Sequence, residues 1–147
     1  MHVNRLSPLL VAAVALPLLA GCSGSGTASG IKLLEQPATG ANALPPGGNA
    51  TGFQPGSARF AARVDGLSYY VARALAPDGL DAADAGVCLV VPEEGMTVCG
   101  LVAPVTATFP GHTAMVVPDV FDPTGFIGDG WNQAHRNVLI RSDSAAK

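Results

Sequence analysis

The sequence predicts a small all-β domain, an antiparallel meander, sandwich or partly open barrel of about six strands, behind a disordered N-terminal tether. Three observations carry that expectation. Short runs rich in Val, Ile, Thr, Tyr and Phe recur between residues 58 and 142, with turn signals between them. Asp65-Gly66 separates two such runs, and this dipeptide is a preferred two-residue hairpin turn because both positions tolerate positive φ. Cys88 and Cys99 stand in two further runs around Pro92-Glu93-Glu94-Gly95, a spacing that suits a stapled hairpin.

Taken in order, residues 1–21 read as a targeting segment. A short n-region carries His2 and Arg5, and the apolar stretch PLLVAAVALPLLAG follows it. That stretch is shorter than the roughly 20 apolar residues a bilayer span requires. Pro8 and Pro17 interrupt it, which suits a transient export signal better than a permanent membrane helix.

At its end, Leu19-Ala20-Gly21-Cys22 resembles the lipobox of bacterial lipoproteins, in which the cysteine thiol is joined to diacylglycerol before cleavage. The resemblance implies that Cys22 becomes the lipidated first residue of the mature chain, carrying acyl chains such as palmitate. Each buried CH₂ of such chains contributes about 0.8 kcal/mol, so two or three chains hold a protein on a membrane nearly permanently. The resemblance covers the first 22 residues and leaves the domain behind them open.

From Cys22 to Ser57, Gly and Pro make up 12 of 36 residues, a composition that buries too little apolar surface to offset its ordering entropy. The expectation is a flexible tether over residues 22–57 that lets the domain stand off the bilayer. Residues 31–34 are its one apolar patch and the one place where it is able to dock, as a short strand.

The domain proper is expected over residues 58–142, with residues 143–147 as a tail. Its runs are ARFAARV, LSYYVARALA, VCLVV, MTVCGLV, TATF, TAMVV and HRNVLIR. The first is ambiguous, because Phe60, Val64, Leu67 and Val71 also fall at helical spacing; Asp65-Gly66 argues against one continuous helix and leaves strand or short entrance helix open. In the loop APDGLDAADAG, residues 82–85 could make a helical turn.

Export to an oxidising compartment leaves Cys88 and Cys99 to pair with each other once Cys22 is committed to lipid. With Glu93 and Glu94 at the turn tip, the two cysteines fall directly opposite one another, close enough for a disulfide. A metal pair is the poorer alternative, since neither C-x-x-C nor a nearby histidine accompanies them.

Net charge is −3, and residues 58–147 hold six Lys/Arg against ten Asp/Glu. The basic patch and aromatic stripe of nucleic-acid binding are missing, and so is the lysine cluster of electrostatic docking to anionic lipid. No serine of the domain lies in a G-x-S-x-G context. His112 in FPGHT reads as a turn residue and His135 in WNQAHRN as a cap on the last strand.

The aspartates make a weak case for a hard cation. Asp78, Asp81 and Asp84 recur in one loop, and Asp119, Asp122 and Asp129 lie in PDVFDPTGFIGDGW, without the EF-hand spacing. They are read first as turn formers that keep a small surface soluble, with no metal and no cofactor expected. Among the aromatics, Trp131 is expected to plug one end of the domain, while of Tyr69 and Tyr70 one faces the core and the other faces out. The outward tyrosine with Phe126 and Trp131 is a possible patch for a protein or glycan.

A tyrosine strand, a Cys-Leu-Val strand, a second cysteine and a closing Gly-Trp then Asn-Val-Leu strand also resemble, loosely, uncharacterised exported lipoproteins of high-GC Gram-positive bacteria. That likeness implies no activity. The functional expectation is a non-enzymatic binding or accessory module, lipid-anchored on the extracytoplasmic side of a cell membrane, with an envelope protein or glycan as partner and no nucleic acid. The alternative is a small envelope hydrolase or metal-dependent enzyme using His112 or His135 with the acidic loops.

Overall fold

The computed structural model describes residues 30–46, 51–79, 81 and 85–143. The targeting segment, Cys22, the first part of the expected tether, residues 82–84 with Asp84, and the tail beyond Asp143 lie outside the described residues.

Strands β1 (Arg59–Val64), β2 (Leu67–Arg73), β3 (Val87–Val91) and β4 (Met96–Gly100) form one sheet in sequence order. A second sheet has the order β5-β6-β8-β7, from β5 (Val105–Phe109), β6 (His112–Val116), β7 (Asn132–His135) and β8 (Val138–Ser142). Every pairing is antiparallel. The sheets are open, and their facing sides enclose one core, in which Tyr69, Val71 and Leu89 of the first meet Phe109, Val116 and Ile140 of the second. The all-β expectation holds, with eight strands among the described residues in place of about six.

Local chemistry explains the elements. Residues 59–64 are strand, because Asp65 (φ 51) and Gly66 (φ 84) turn the chain back at once and pair Val64 with Leu67. Gly95, at φ 60, ends the 3-10 turn Pro92–Glu94 and sets Cys88 opposite Cys99, which are joined as a disulfide. The run HRNVLIR is not one strand: His135 closes β7, and Asn137 turns the chain into β8. The polar composition of Asn132–His135 hid β7, an edge strand whose residues are exposed or half-buried.

β3 is buried at every position and β2 at five consecutive ones, because both faces of the first sheet are covered. Tyr70, Ala72, Cys88 and Val90 point away from the core between the sheets and pack under Leu44, Phe53 and Phe60. Likewise Met115, Val117 and Leu139 of the second sheet lie under Phe121 and Trp131.

The expectation of a flexible tether up to Ser57 is corrected accordingly. Ile31 is fully buried, and Leu33 and Leu34 join it in the core between the sheets; the segment is a 3-10 turn, Lys32–Glu35, rather than a strand. The buried Arg59 guanidinium donates to the carbonyls of Gln36 (2.6 Å) and Gly56 (2.7 Å), and Phe60 N–H donates to the carbonyl of Asn42 (2.7 Å). Gln54 N–H donates to Arg73 O at 2.8 Å, and Phe53 bridges to Ala74. Average composition predicted disorder, but three apolar side chains placed over an unfilled core outweigh it.

The sandwich has two unlike ends. At one, residues 101–104 cross from β4 to β5, β2 and β6 finish, and the Lys32–Glu35 turn plugs the gap between the sheets. At the other lie the hairpin turns at residues 65–66, 92–95 and 110–111. Asp65 there joins the sheets, its Oδ2 lying 3.3 Å from His112 Nε2 and accepting from Ser142 Oγ at 3.2 Å.

Candidate functional site

A groove of about 350 Å³ lies on the outer face of the first sheet, toward the hairpin-turn end. β1 and β2 supply its floor, Phe60 and Tyr70, whose rings meet edge to face with centroids 5.5 Å apart. One rim is Ala41 and Pro45 of the docked N-terminal segment; the other is Pro92 and Glu93 of the turn after β3. Arg63 and Ser68, paired across β1 and β2, complete it.

Glu93 is the most constrained charge here. Burial opposes ionisation of its carboxyl, but the hydroxyl and the backbone N–H of Ser68 both donate to it and, with Arg63 nearby, hold its pKa below the ordinary value. The N–H contact is 3.0 Å. Burial and the Glu93 charge push the Tyr70 hydroxyl upward, against a smaller opposing effect of Arg63, so Tyr70 remains a neutral donor and acceptor. An aromatic floor between a fixed carboxylate and a guanidinium can stack against a flat or apolar face while bonding its polar edges. A carboxylate held below its ordinary pKa is a weak base toward the Ser68 hydroxyl.

The residues singled out from sequence do not converge. Tyr69 is fully buried between the sheets, 6.4 Å centroid to centroid from Phe109, and Tyr70 is also buried, under the docked segment, so neither tyrosine faces solvent. Phe126 and Trp131 do come together, at 6.0 Å, but on the outer face of the second sheet, with Phe121 beside Phe126 and Arg141 over the Trp131 ring at 5.2 Å. The expected patch of an outward tyrosine with Phe126 and Trp131 is therefore split between opposite faces, because the covering segment claims Tyr70.

The aspartates are engaged in turns. Asp119 accepts from Asn137 Nδ2 (2.7 Å) and from the N–H of Lys32 (3.3 Å), and Asp122 caps Thr124 at the start of α1 (Thr124–Ile127), which keeps the Asp122 pKa low. Asp129 is exposed. No group of three His, Cys, Asp or Glu able to hold a metal exists among the described residues.

His112 stacks on Phe109 and faces Asp65, while Ser142 bonds the same carboxylate oxygen rather than the imidazole, so the three do not form a relay. His135 lies at the opposite end, in a notch of about 170 Å³ with Asp119, Lys32 and Arg136. Its Nδ1 accepts from Asn137 N–H, and burial lowers its pKa against the opposing pull of Asp119.

Sequence reasoning missed the grouping of Arg63 and Ser68, paired across the first hairpin, with Glu93 from the turn after β3, which meets them only in the fold. No protein-family model, curated protein or solved structure matches the chain. No helix among the described residues is long and apolar enough to cross a membrane.

Proposed function

We propose that the protein is a bacterial lipoprotein, exported by residues 1–21, anchored through a lipid on Cys22 to the extracytoplasmic side of the cell membrane, and acting as a binding or accessory module of the envelope. The observation that carries this reading is Leu19-Ala20-Gly21-Cys22 standing only eight residues before Gly30, where the described sandwich begins. The disulfide between Cys88 and Cys99 suits an oxidising compartment.

The groove over Phe60 and Tyr70 is the binding face, and its combination of rings with Arg63 and Glu93 suits a segment of an envelope protein or a glycan. The test is crosslinking in cells with a photoreactive residue at Ala41, on the groove rim, in wild type and in a Cys22→Ala form, read by mass spectrometry. A partner captured by the anchored form and lost on Tyr70→Ala supports the reading. Membrane retention of Cys22→Ala at wild-type levels refutes the lipid anchor, and capture unaffected by Tyr70→Ala refutes the groove.

A further inference from the structure

Among the described residues, the six large apolar side chains that stand well out of the surface are unevenly placed. Leu75 (54% exposed), Leu101 (67%), Val102 (75%) and Val120 (92%) all belong to connections at the crossover end, whereas Phe126 and Ile127 lie on α1, against the outer face of the second sheet. Leu75 follows β2, Leu101 and Val102 form the crossover from β4 to β5, and Val120 sits on the turn closed by Phe121 N–H to Pro118 O. Val105 pairs with Val116, which brings the crossover beside the exit from β6. The opposite end presents Asp65, Glu93, Glu94 and Asp143.

The chain from Cys22 reaches the fold at this same apolar end. The carbonyl of Gly30 accepts from Asp119 N–H at 2.9 Å, and a Cβ on Gly30 would touch Pro118, next to Val120. Seven residues lie between Cys22 and Gly30, and the eight steps from one to the other reach at most about 29 Å at full extension. Had the tether run to Ser57, either end of the domain could have turned to the bilayer. With the docked segment taken up by the fold, the leash is short and leaves from one end.

From this coincidence we infer that the crossover end is a lipid-docking surface: Leu101, Val102 and Val120 sit in the headgroup layer of the bilayer that holds Cys22, and the sandwich stands upright on it. This rests on the lipid anchor proposed above. Attraction is apolar, since Lys32 and Arg136 at this end are offset by Asp78, Asp81 and Asp119. The anchor supplies a high effective concentration, so a weak contact suffices. Upright docking puts the Phe60 and Tyr70 groove on the half of the domain away from the lipid, open to the envelope.

Trp131 is a built-in control, being the only tryptophan and preceding β7 at the far end of the second sheet. The full-length lipidated protein is reconstituted in phosphatidylcholine vesicles carrying a doxyl quencher near the headgroup, and tryptophan emission is compared for wild type, Val102→Trp and Val120→Trp. Both substituted positions are exposed, so the fold tolerates them, and tryptophan favours the interface. Wild-type emission should be unaffected, while each variant, with a second tryptophan, should lose about half of its emission.

Lipidated variants that remain unquenched at both positions overturn the docking and leave the anchor standing. Quenching of Trp131 in wild type overturns the upright orientation in favour of the α1 face. Absence of lipid mass on Cys22 overturns the anchor itself, and the docking with it.

Discussion

Replacing Ile31 by Ala separates a docked N-terminal segment from a tether. Ile31 is fully buried in the core between the two sheets, beside Leu33 and Leu34. The substitution removes about three carbons from that core, which at about 0.8 kcal/mol each is about 2.4 kcal/mol of transfer free energy. The cavity left behind adds to this, and measured Ile→Ala changes in cores fall at about 2–5 kcal/mol. We therefore expect Ile31→Ala to lose about 3 kcal/mol, read as a drop in the urea midpoint at constant m value on the purified full-length protein in detergent. In a domain of this size that loss corresponds to a fall in Tm of more than about 10 °C. Ala38→Gly, in the same segment but exposed, should change stability by less than about 0.5 kcal/mol. A loss below that value for Ile31→Ala would refute the docking of residues 31–34 and restore the tether.

Removing the disulfide as Cys88→Ala with Cys99→Ala reopens a loop of sequence separation 11, worth about 2.8 kcal/mol by the loop-entropy relation, so reductant should lower the Tm of wild type and leave the double variant unmoved. Coincident melting curves with and without reductant would refute it. Gly86→Ala should destabilise by about 1–3 kcal/mol, because a Cβ there collides with the carbonyl of Gly100 where β3 and β4 begin and end; an unchanged urea midpoint would refute that close approach. His135 is held below its ordinary pKa of 6.5, so the unfolded chain takes up its proton first and the stability tied to neutral His135 is present above pH 6.5 and lost as pH falls through the lowered value. Wild type should accordingly lose stability relative to His135→Asn between pH 7.5 and 5, and parallel pH profiles would count against it. Tyr69 Oη is buried without a hydrogen-bond partner among the described residues, so Tyr69→Phe should leave stability unchanged or raise it by about 1 kcal/mol. Burial first, then Asp65 and the turn glutamates, raise the Tyr69 pKa to about 12, so the unfolded chain ionises first and wild type loses stability as pH rises from 10 through 12, a loss that Tyr69→Phe should reduce to the part that Tyr70, also raised, leaves.

Local signals survived folding where their cause was local. Asp65-Gly66 dictated a tight hairpin whatever lay around it, and the spacing of the cysteines about Pro92–Glu94 dictated their pairing once the chain doubled back. The all-β class followed from the apolar runs, which are continuous in β3 because both faces of its sheet are covered. Where burial depends on a neighbour distant in sequence, local pattern failed. Asn132–His135 carries no apolar alternation because it borrows its place from β8, and the Gly and Pro content of residues 30–57 concealed Ile31, Leu33 and Leu34.

The candidate groove was illegible for the same reason. Its floor is a ring pair from β1 and β2, its charges come from β1 and the turn after β3, and its rim comes from a segment that composition alone assigns to solvent. By itself the sequence determined the β class, the hairpins and the cysteine pairing, since turn geometry and strand periodicity act over a few residues. Tertiary structure alone decided that residues 31–34 plug the sandwich, that Tyr70 lies under Leu44 and Phe53 on the outer face of the first sheet and away from Trp131, and that Leu75, Leu101, Val102 and Val120 gather at the end where the chain comes in. Burial is a property of what lies opposite a side chain, and no window of sequence contains both partners.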